Sequence, residues 1–407
     1  MRIAFVVPHI FMHQQLLSDV IFSPGFLAMD LAAGLSKLGH DVTLFSPGPV
    51  ANYLPKKIKN VSTDLSLFEQ ELEQRGYGYL ELLKKHPLTY ITLARQVQSE
   101  LVAQAYQLAN EDQFDLVHVW CNEEELALVN ARFCQKPVVF NHHEPFNFLV
   151  RYRSLFSKYK NLNWISFSYA QRQTFTTDEQ KVNWAGNVYH GLKKDLYKFV
   201  SAEKTDDYLL YMGRIIKPKG VHYAIQVAKN LGKRLKIAGK HYAGHSKDKY
   251  WQEFIEPEID GQQIEYVGFV KEIEEKQKLL GQAQALLMPS TWQEPFGLVM
   301  VEALACGTPV VGFSCGAVPE VVEHGVTGWV VSHKPEPKME KNQHLVNQDW
   351  VSLQNDEVFA QNVANLATTV KKIRQINRQK CRVEFEKRFT VEKMSKGYDK
   401  IYKELII

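Results

Sequence analysis

The chain has 407 residues, of which 45% are hydrophobic and 23% charged, and its formal net charge at pH 7 is +4. This composition is typical of a globular protein, and the length favours two domains of similar size over a single core. So small a charge argues against a nucleic-acid-binding protein, although it suits anionic ligands such as nucleotides. We find no apolar run of about 18 residues, so we expect no membrane-spanning helix.

The cysteines and the first residues indicate the compartment. The five cysteines have no metal-ligand or redox-motif spacing, and they are Cys121, Cys134, Cys306, Cys315 and Cys381. An odd number without such spacing favours a reduced, cytoplasmic environment. The apolar run from Ile3 to Val7 is short and is soon followed by His9, so it predicts a buried strand rather than a signal peptide.

The first half of the chain alternates strands and helices. Ile3–Val7, the helical stretch FLAMDLAAGLSKLG and the strand HDVTLFSP have the spacing of a βαβ unit. Further strands are predicted in DLVHVW, PVVFNHH, WISFS and NVYHGL. Residues 51–110 look less regular, with charged helical stretches.

The same alternation restarts after a polar segment. We predict an α/β protein of two Rossmann-like, doubly wound domains that face each other across a cleft. The predicted parts are a first domain over 1–192, a linker over 193–207, a second domain over 208–389 and a final helix over 390–407 that packs back on the first domain. The polar stretch 333–356 predicts a surface insertion.

The stretch ALLMPSTWQEPFGLVMVEALACGTPVV carries the strongest chemical signal. A strand ends at Pro289, Glu294 follows in a loop, and a helix that contains Glu302 opens at Gly297. Backbone N–H groups at a helix start can hold an anion or a sugar hydroxyl, and carboxylates bind vicinal hydroxyls well. The alternative is that Glu302 is an ordinary helix residue, although a charge in so apolar a run needs a partner.

Two other stretches bring polar groups to strand ends. YMGRIIKPKG places Arg214 and Lys219 after a strand, where they could neutralise a diphosphate; a solvated basic turn is the alternative. PVVFNHHEPF places His142 and His143 at another strand end, and only one of them should face the cleft because adjacent residues of a strand point oppositely. A structural role for either histidine is the alternative.

Several common motifs are absent from the sequence. There is no dinucleotide fingerprint, Walker loop, zinc-binding helix motif, nucleophile elbow or Asp-x-Asp pair. We therefore expect neither a metal nor a cofactor.

Taken together, these stretches make the chain resemble glycosyltransferase family four, a group of retaining enzymes with the GT-B fold. EPFGLVMVE matches the family's Glu-x7-Glu element, GRIIKPKG its donor-phosphate loop and GHDVTLF its second strand. The resemblance implies transfer of a hexose-type sugar from a UDP- or GDP-linked donor to an acceptor hydroxyl in polysaccharide, glycolipid or glycoconjugate synthesis. It further implies front-face transfer without a covalent intermediate, and closure of the domains over the donor.

The resemblance also assigns roles to single residues. Arg214 and Lys219 would hold the donor diphosphate, Glu294 the transferred sugar and Glu302 the ribose. His143 matches the family's active-site histidine. The remaining matches on the donor side are Gly25, near the diphosphate, Val270, whose backbone would meet the nucleobase, and the backbone of Phe296, Gly297 and Leu298.

The sequence is also compatible with other interpretations. A GT-B-like epimerase or phosphorylase, or a non-catalytic subunit of a partner glycosyltransferase, would share the architecture. The acceptor could be a sugar, a lipid-linked sugar or a small molecule. The basic and aromatic stretch FLVRYRSLFSKYKNLNW suits either peripheral contact with the cytoplasmic membrane face or a solvated loop with packed aromatic residues.

Overall fold

The computed structural model describes residues 1–17, 22–120, 122–175, 177–241, 248–334 and 357–406. The chain divides into two compact units, Met1–Gly191 with Val391–Ile407 and Leu192–Thr390. Cys121 and residues 335–356, which include nearly all of the predicted surface insertion, lie outside the described part.

The first unit is built on seven parallel strands, ordered β3-β2-β1-β4-β5-β6-β7. They are β1 (Arg2–Val6), β2 (Asp41–Ser46), β3 (Lys59–Ser62), β4 (Leu116–Val119), β5 (Val138–Phe140), β6 (Asn163–Ser166) and β7 (Trp184–Asn187). Helices before and between them are α1 (Gln14–Leu17), α2 (Ser23–Lys37), α3 (Ser66–Arg75), α4 (Tyr79–Lys85), α5 (Pro87–Asn110), α6 (Glu125–Asn130), α7 (Val150–Lys158) and α8 (Tyr169–Arg172).

The second unit has six parallel strands, ordered β10-β9-β8-β11-β12-β13. They are β8 (Tyr208–Met212), β9 (Arg234–Ala238), β10 (Ile264–Gly268), β11 (Ala285–Met288), β12 (Val310–Phe313) and β13 (Gly328–Val331). The helices are α9 (Val221–Leu231), α10 (Ile273–Gln282), α11 (Leu298–Cys306), α12 (Val318–Val321), α13 (Glu357–Val370) and α14 (Arg378–Arg388).

Both sheets reverse their strand order once. Ile3 of β1 pairs with both Val42 of β2 and Leu116 of β4, and Leu209 of β8 pairs with both Leu235 of β9 and Ala285 of β11. The order therefore changes direction between β1 and β4 and between β8 and β11. Ligands of open α/β sheets bind beyond the carboxyl ends of the strands at such a point.

The final helix, α15 (Val391–Ile406), completes the first unit. Its Tyr402 hydroxyl lies 2.6 Å from Nδ1 of His118 on β4, and its Tyr398 hydroxyl donates to Oδ1 of Asn141 at 3.1 Å. Nε2 of His118 lies 2.7 Å from the same Asn141 oxygen. All four side chains are buried, so α15 is bonded to the strand ends β4 and β5 through the core.

Three sequence-based expectations differ from the structure. NVYHGL was predicted as a strand, but β7 ends at Asn187, so His190 lies in the following loop. Residues 51–110 are more regular than predicted, because α5 runs over 24 residues with one buried face. Residues 193–207, predicted as a linker, pack on the second unit: Tyr197 is buried, and the N–H of Val200 donates to the carbonyl of Cys306.

The basic and aromatic stretch at 148–164 is mainly a helix. Tyr152 and Phe156 of α7 and Trp164 of β6 point into the core of the first unit, so these rings do not form an exposed aromatic face. None of the described helices is long and apolar enough to cross a membrane.

Candidate functional site

Two helices begin side by side where the second sheet reverses its order. α9 follows β8 and α11 follows β11, and each has a glycine at its N-cap, Gly220 with φ +76° and Gly297 with φ +81°. A positive φ is costly for residues with a side chain, which explains both glycines. The positive ends of the two helix dipoles favour an anion at this edge, although in α9 the N–H of His222 already donates to the Tyr250 hydroxyl.

The loops before these helices are fastened together. A Cβ on Gly220 would lie 2.0 Å from the carbonyl oxygen of Pro289, so only glycine allows the close approach. The N–H of Thr291 donates to the carbonyl of Pro218 at 2.9 Å. The loop that carries Lys219 and the loop that carries Glu294 therefore form one structure.

Lys219 and Glu294 are in direct contact through Nζ and Oε2, and both side chains are largely buried. The sequence predicted both as donor ligands but not their pairing. Gly316 supports the loop from behind, since a Cβ there would lie 2.2 Å from the backbone nitrogen of Glu294. A ligand at this edge meets a fixed cation and a fixed carboxylate side by side.

Arg214 adds an exposed cation to the same edge. The hydroxyl of Tyr211 donates to the backbone carbonyl of Arg214 at 2.8 Å, and the N–H of Ile215 donates to the carbonyl of Lys240 at 3.0 Å. These bonds fix the backbone on both sides of the guanidinium while leaving it accessible to a ligand.

Glu302 lies in α11 and is buried, with partners that the sequence did not reveal. Nζ of Lys276 on α10 lies 2.5 Å from its Oε1. The hydroxyl of Tyr197 also bonds to Glu302, and burial together with this carboxylate raises the pKa of Tyr197. The expectation that this charge needs a partner is thus met by Lys276.

The other predicted donor residues lie at the same sheet edge of the second unit. Gly297 and Leu298 form the start of α11, whereas the Phe296 side chain is buried against Phe389, which leaves only its backbone for a ligand. Val270 follows β10 by two residues. These residues therefore lie beyond the carboxyl ends of the strands of one sheet, as do Arg214, Lys219, Glu294 and Glu302.

In the first unit, Trp120 connects two predicted site residues. Its Nε1–H donates to the carbonyl of Pro24 at 2.9 Å, next to Gly25, and its ring centroid lies 4.4 Å from that of His143. The predicted helical stretch begins at Phe26, but α2 begins at Ser23, so Gly25 lies in its first turn, where Pro24 is tolerated. A Cβ on Gly25 would meet the Phe22 ring at 2.6 Å.

The two adjacent histidines have different surroundings. His142 is fully buried among aromatic rings, and its Nδ1 lies 2.6 Å from Oε1 of the buried Glu124. Burial raises the pKa of Glu124, and the neighbouring His142 opposes that shift. His143 is partly exposed as a residue, yet both ring nitrogens are buried and have no hydrogen-bond partner within the described residues. Nε2 of His142 also has no hydrogen-bond partner among these residues, so the two histidines differ in the ion pair that His142 forms with Glu124.

His143 lies in a stack of rings that disfavours its protonation. His190 is nearly parallel to it at 5.3 Å, with 7° between the ring planes, and Phe167 lies 5.3 Å from His143 and 4.4 Å from His190. Burial, with a contribution from His190, lowers the pKa of His143 well below its ordinary value. Burial also lowers the pKa of His190 to about 3.

Sequence reasoning missed the residues that support the site: Trp120, Tyr197, Tyr211 and Lys276. Trp120 had a usable signal, because it ends the predicted strand DLVHVW at the sheet edge where ligands bind. Lys276 had no such sequence signal, because its contact with Glu302 depends on how α10 packs against α11. Within the described ranges, no group of three or more His, Cys, Asp or Glu side chains is arranged to hold a metal ion.

Comparisons with known proteins agree with this arrangement. Residues 25–181 match the family model described as Glycosyltransferase Family 4, and residues 193–349 match the model described as Glycosyl transferases group 1. The two matches cover most of both units. Both family models indicate a GT4-like glycosyltransferase.

Individual relatives span most of this GT4-like chain. An uncharacterized glycosyltransferase of Methanocaldococcus jannaschii is 24% identical over 343 residues, 75% of this chain and 80% of the relative. Among solved structures, AviGT4, a glycosyltransferase involved in avilamycin A biosynthesis, has a TM-score of 0.61 at 20% identity, over 100% of this chain and 98% of that one. Anabaena HepE in complex with UDP and glucose has a TM-score of 0.62 at 17% identity, over 100% of both chains. These likenesses confirm the predicted GT-B fold of two Rossmann-like domains.

Proposed function

We propose that this protein is a retaining glycosyltransferase that moves a hexose-type sugar from a UDP- or GDP-linked donor to an acceptor hydroxyl, in the synthesis of a polysaccharide, glycolipid or glycoconjugate. The observation that carries the proposal is the joining of Lys219 and Glu294 at the paired starts of α9 and α11. One donor needs positive charge at its diphosphate and a carboxylate at its sugar, and both are present side by side.

Each group at this edge has a proposed role. Lys219, Arg214 and the backbone of Gly297 and Leu298 hold the diphosphate, so these cations replace a metal ion at the leaving group. Glu294 accepts hydrogen bonds from the transferred sugar, and Glu302 accepts them from the ribose. Phe296 contributes its backbone. In the first unit, Gly25 is proposed to lie near the diphosphate, and His143 is proposed as the active-site histidine.

In the proposed step, the bond between the anomeric carbon and the phosphate oxygen breaks while the acceptor oxygen bonds to the same carbon on the same face. The proton of the acceptor hydroxyl passes to the departing phosphate. His143, kept neutral by burial, then acts as a hydrogen-bonding group rather than as a cation. UDP in the solved complex of HepE supports a uridine donor as the first to be tested.

The test combines binding and turnover. Thermal midpoints are measured with UDP-, GDP- and ADP-sugars for the wild type and for Glu302→Gln, and release of nucleoside diphosphate is then followed with candidate saccharide acceptors in the presence of EDTA. We expect one donor to raise the midpoint, since ligands stabilise the state they bind, and this shift to shrink in the variant. Glu265→Gln, which changes an exposed carboxylate of the same unit, is the control.

Four results would contradict the proposal. No stabilisation by any donor, or donor binding without diphosphate release, would favour a non-catalytic subunit. Activity that EDTA abolishes would contradict the role given to Arg214 and Lys219. A product with inverted anomeric configuration, read from the proton spectrum of the new linkage, would contradict retention.

A further inference from the structure

A cluster of ring side chains lies beside the proposed donor site in the second unit. Nδ1 of His241 lies 2.5 Å from Oδ2 of the buried Asp248. The His241 ring is stacked on Trp251, with 4.1 Å between the centroids and 10° between the planes. Tyr266 packs on the same indole at 4.6 Å. The imidazole is therefore held in one orientation by a carboxylate and an aromatic face.

Backbone hydrogen bonds place this cluster at the carboxyl ends of β9 and β10. The N–H of Gly239 donates to the carbonyl of Gly268 at 2.8 Å, and the Tyr266 hydroxyl donates to the carbonyl of Gly239 at 3.0 Å. The next residue, Lys240, bonds to Ile215. His241 thus lies between the loop that carries Arg214 and the loop that carries Val270.

The nucleoside of a donor would extend toward this cluster. Under the proposed function, the diphosphate is bound after β8 and the ribose at Glu302. Glu302 is bonded to Lys276 of α10, and α10 begins just after β10. A base attached to that ribose is thereby directed to the β9–β10 end of the sheet, where His241 lies.

The chemistry of that edge is specific. Because the Asp248 carboxylate holds the proton on Nδ1, a neutral His241 presents the lone pair of Nε2. The side chain is 18% exposed, and no hydrogen bond to Nε2 is formed by the residues that the structure describes. A lone pair at a fixed position selects for an N–H donor and against another lone pair.

Resting on the proposed function, we propose that His241 reads the base of the donor nucleotide by accepting a hydrogen bond at Nε2 from a ring N–H. Uracil and guanine carry such an N–H next to a carbonyl group. Adenine and cytosine carry a lone pair at the corresponding ring nitrogen and are disfavoured. Asp248 is the positioning residue of this pair, because it sets which nitrogen bears the proton.

The test measures dissociation constants of UDP, GDP, CDP and ADP by calorimetry for the wild type and for His241→Phe. Phenylalanine keeps the stack on Trp251 and removes both nitrogens. We expect the wild type to bind UDP or GDP about tenfold or more tightly than CDP and ADP, and the variant to lose that preference. The control is His324→Phe, an exposed histidine before β13 at the opposite edge of the same sheet.

A second variant distinguishes loss of the hydrogen-bond acceptor from a change in folding. His241→Gln keeps an acceptor oxygen, so it should recover part of the preference that phenylalanine removes. Selectivity that is the same in wild type and His241→Phe, or a wild type that prefers CDP or ADP, would overturn the inference while leaving the proposed donor site intact. Binding of none of the four nucleotides would overturn the proposed function, and the inference with it.

Discussion

The indole N–H of Trp120 is bonded to the backbone carbonyl of Pro24 at 2.9 Å, which ties the end of β4 to the first turn of α2. The same indole packs on His143. Two predicted site residues that lie far apart in sequence, Gly25 and His143, are therefore positioned by one buried ring.

We predict that Trp120→Phe lowers the proposed transferase activity through position rather than through folding. The variant removes the indole hydrogen bond and part of a buried ring, and it should lower the free energy of unfolding by about 1–3 kcal/mol. Trp164→Phe is a matched control, because Trp164 is equally buried and donates to the carbonyl of Tyr159 at 2.9 Å. Urea unfolding should give similar losses for the two variants, whereas kcat/KM should fall about tenfold more for Trp120→Phe. Equal kcat/KM values would contradict the role of Trp120.

Gly220→Ala should disrupt the junction of the two donor loops. Alanine at φ +76° costs about 1–2 kcal/mol, and its Cβ would also collide with the carbonyl of Pro289. Gly232→Ala isolates the first effect, since Gly232 has φ +61° and no atom within 4 Å of the added carbon. We expect calorimetry to show lost nucleotide binding in Gly220→Ala and unchanged binding in Gly232→Ala. Comparable binding in both would show that the close approach is not required.

Lys276→Met should destabilise the protein by leaving Glu302 without its cation. Breaking a buried ion pair costs about 3–5 kcal/mol, but Lys276 is 26% exposed, so we expect about 1–3 kcal/mol by chemical denaturation. In the Glu302→Gln background the same change should cost less, because the carboxylate charge is gone. The control Lys400→Met breaks an exposed pair with Glu404 and should cost below about 1 kcal/mol. Additive losses at Lys276 and Glu302 would refute the coupling.

The buried histidines predict a loss of stability in mild acid. Burial lowers the pKa of His118 and of His190 to about 3, so both stay neutral in the folded protein while the unfolded chain takes up protons below about pH 6.5. Each should therefore remove about 2 kcal/mol of stability between pH 7.5 and pH 5, and the loss continues down to the folded pKa.

His190→Phe tests this account, because it keeps an aromatic ring in the stack with Phe167 and removes the titrating group. Urea unfolding at pH 7.5 and pH 5 should show a smaller difference for this variant than for the wild type. His324→Phe should leave the difference unchanged, since His324 is exposed. A full wild-type difference in His190→Phe would show that His190 contributes nothing to it.

The sequence predicted the parts of this protein that depend on local patterns. Apolar strands, and the helix from Leu298 to Cys306, follow from periodicity, and the position of Glu302 in an apolar run indicated that it needs a partner. Which residue is the partner depends on how α10 packs against α11, and no local pattern contains that information. The pairing of Lys219 with Glu294 was missed because it depends on the contact between two loops that are distant in sequence.

Other differences come from competing local signals. Ser23, Pro24 and Gly25 suggest a loop, but proline is well tolerated in the first turn of a helix, and α2 begins there. For His142 and His143, alternation along a strand predicted opposite directions, and the structure shows one ring against Glu124 and the other against Trp120. The orientation of each histidine ring depends on the aromatic residues that pack around it, so the sequence alone could not assign it.

The attachment of α15 to His118 and Asn141 has a consequence for synthesis on the ribosome. Residues up to Gly191 emerge first, but the hydroxyl groups that complete their core belong to Tyr398 and Tyr402. The whole of the Leu192–Thr390 unit must be translated in between, which takes about 10–40 s at ordinary elongation rates. The unit that begins translation first is therefore the one that finishes folding last, and a nascent chain that lacks its last helix exposes a gap in that unit to chaperones and proteases.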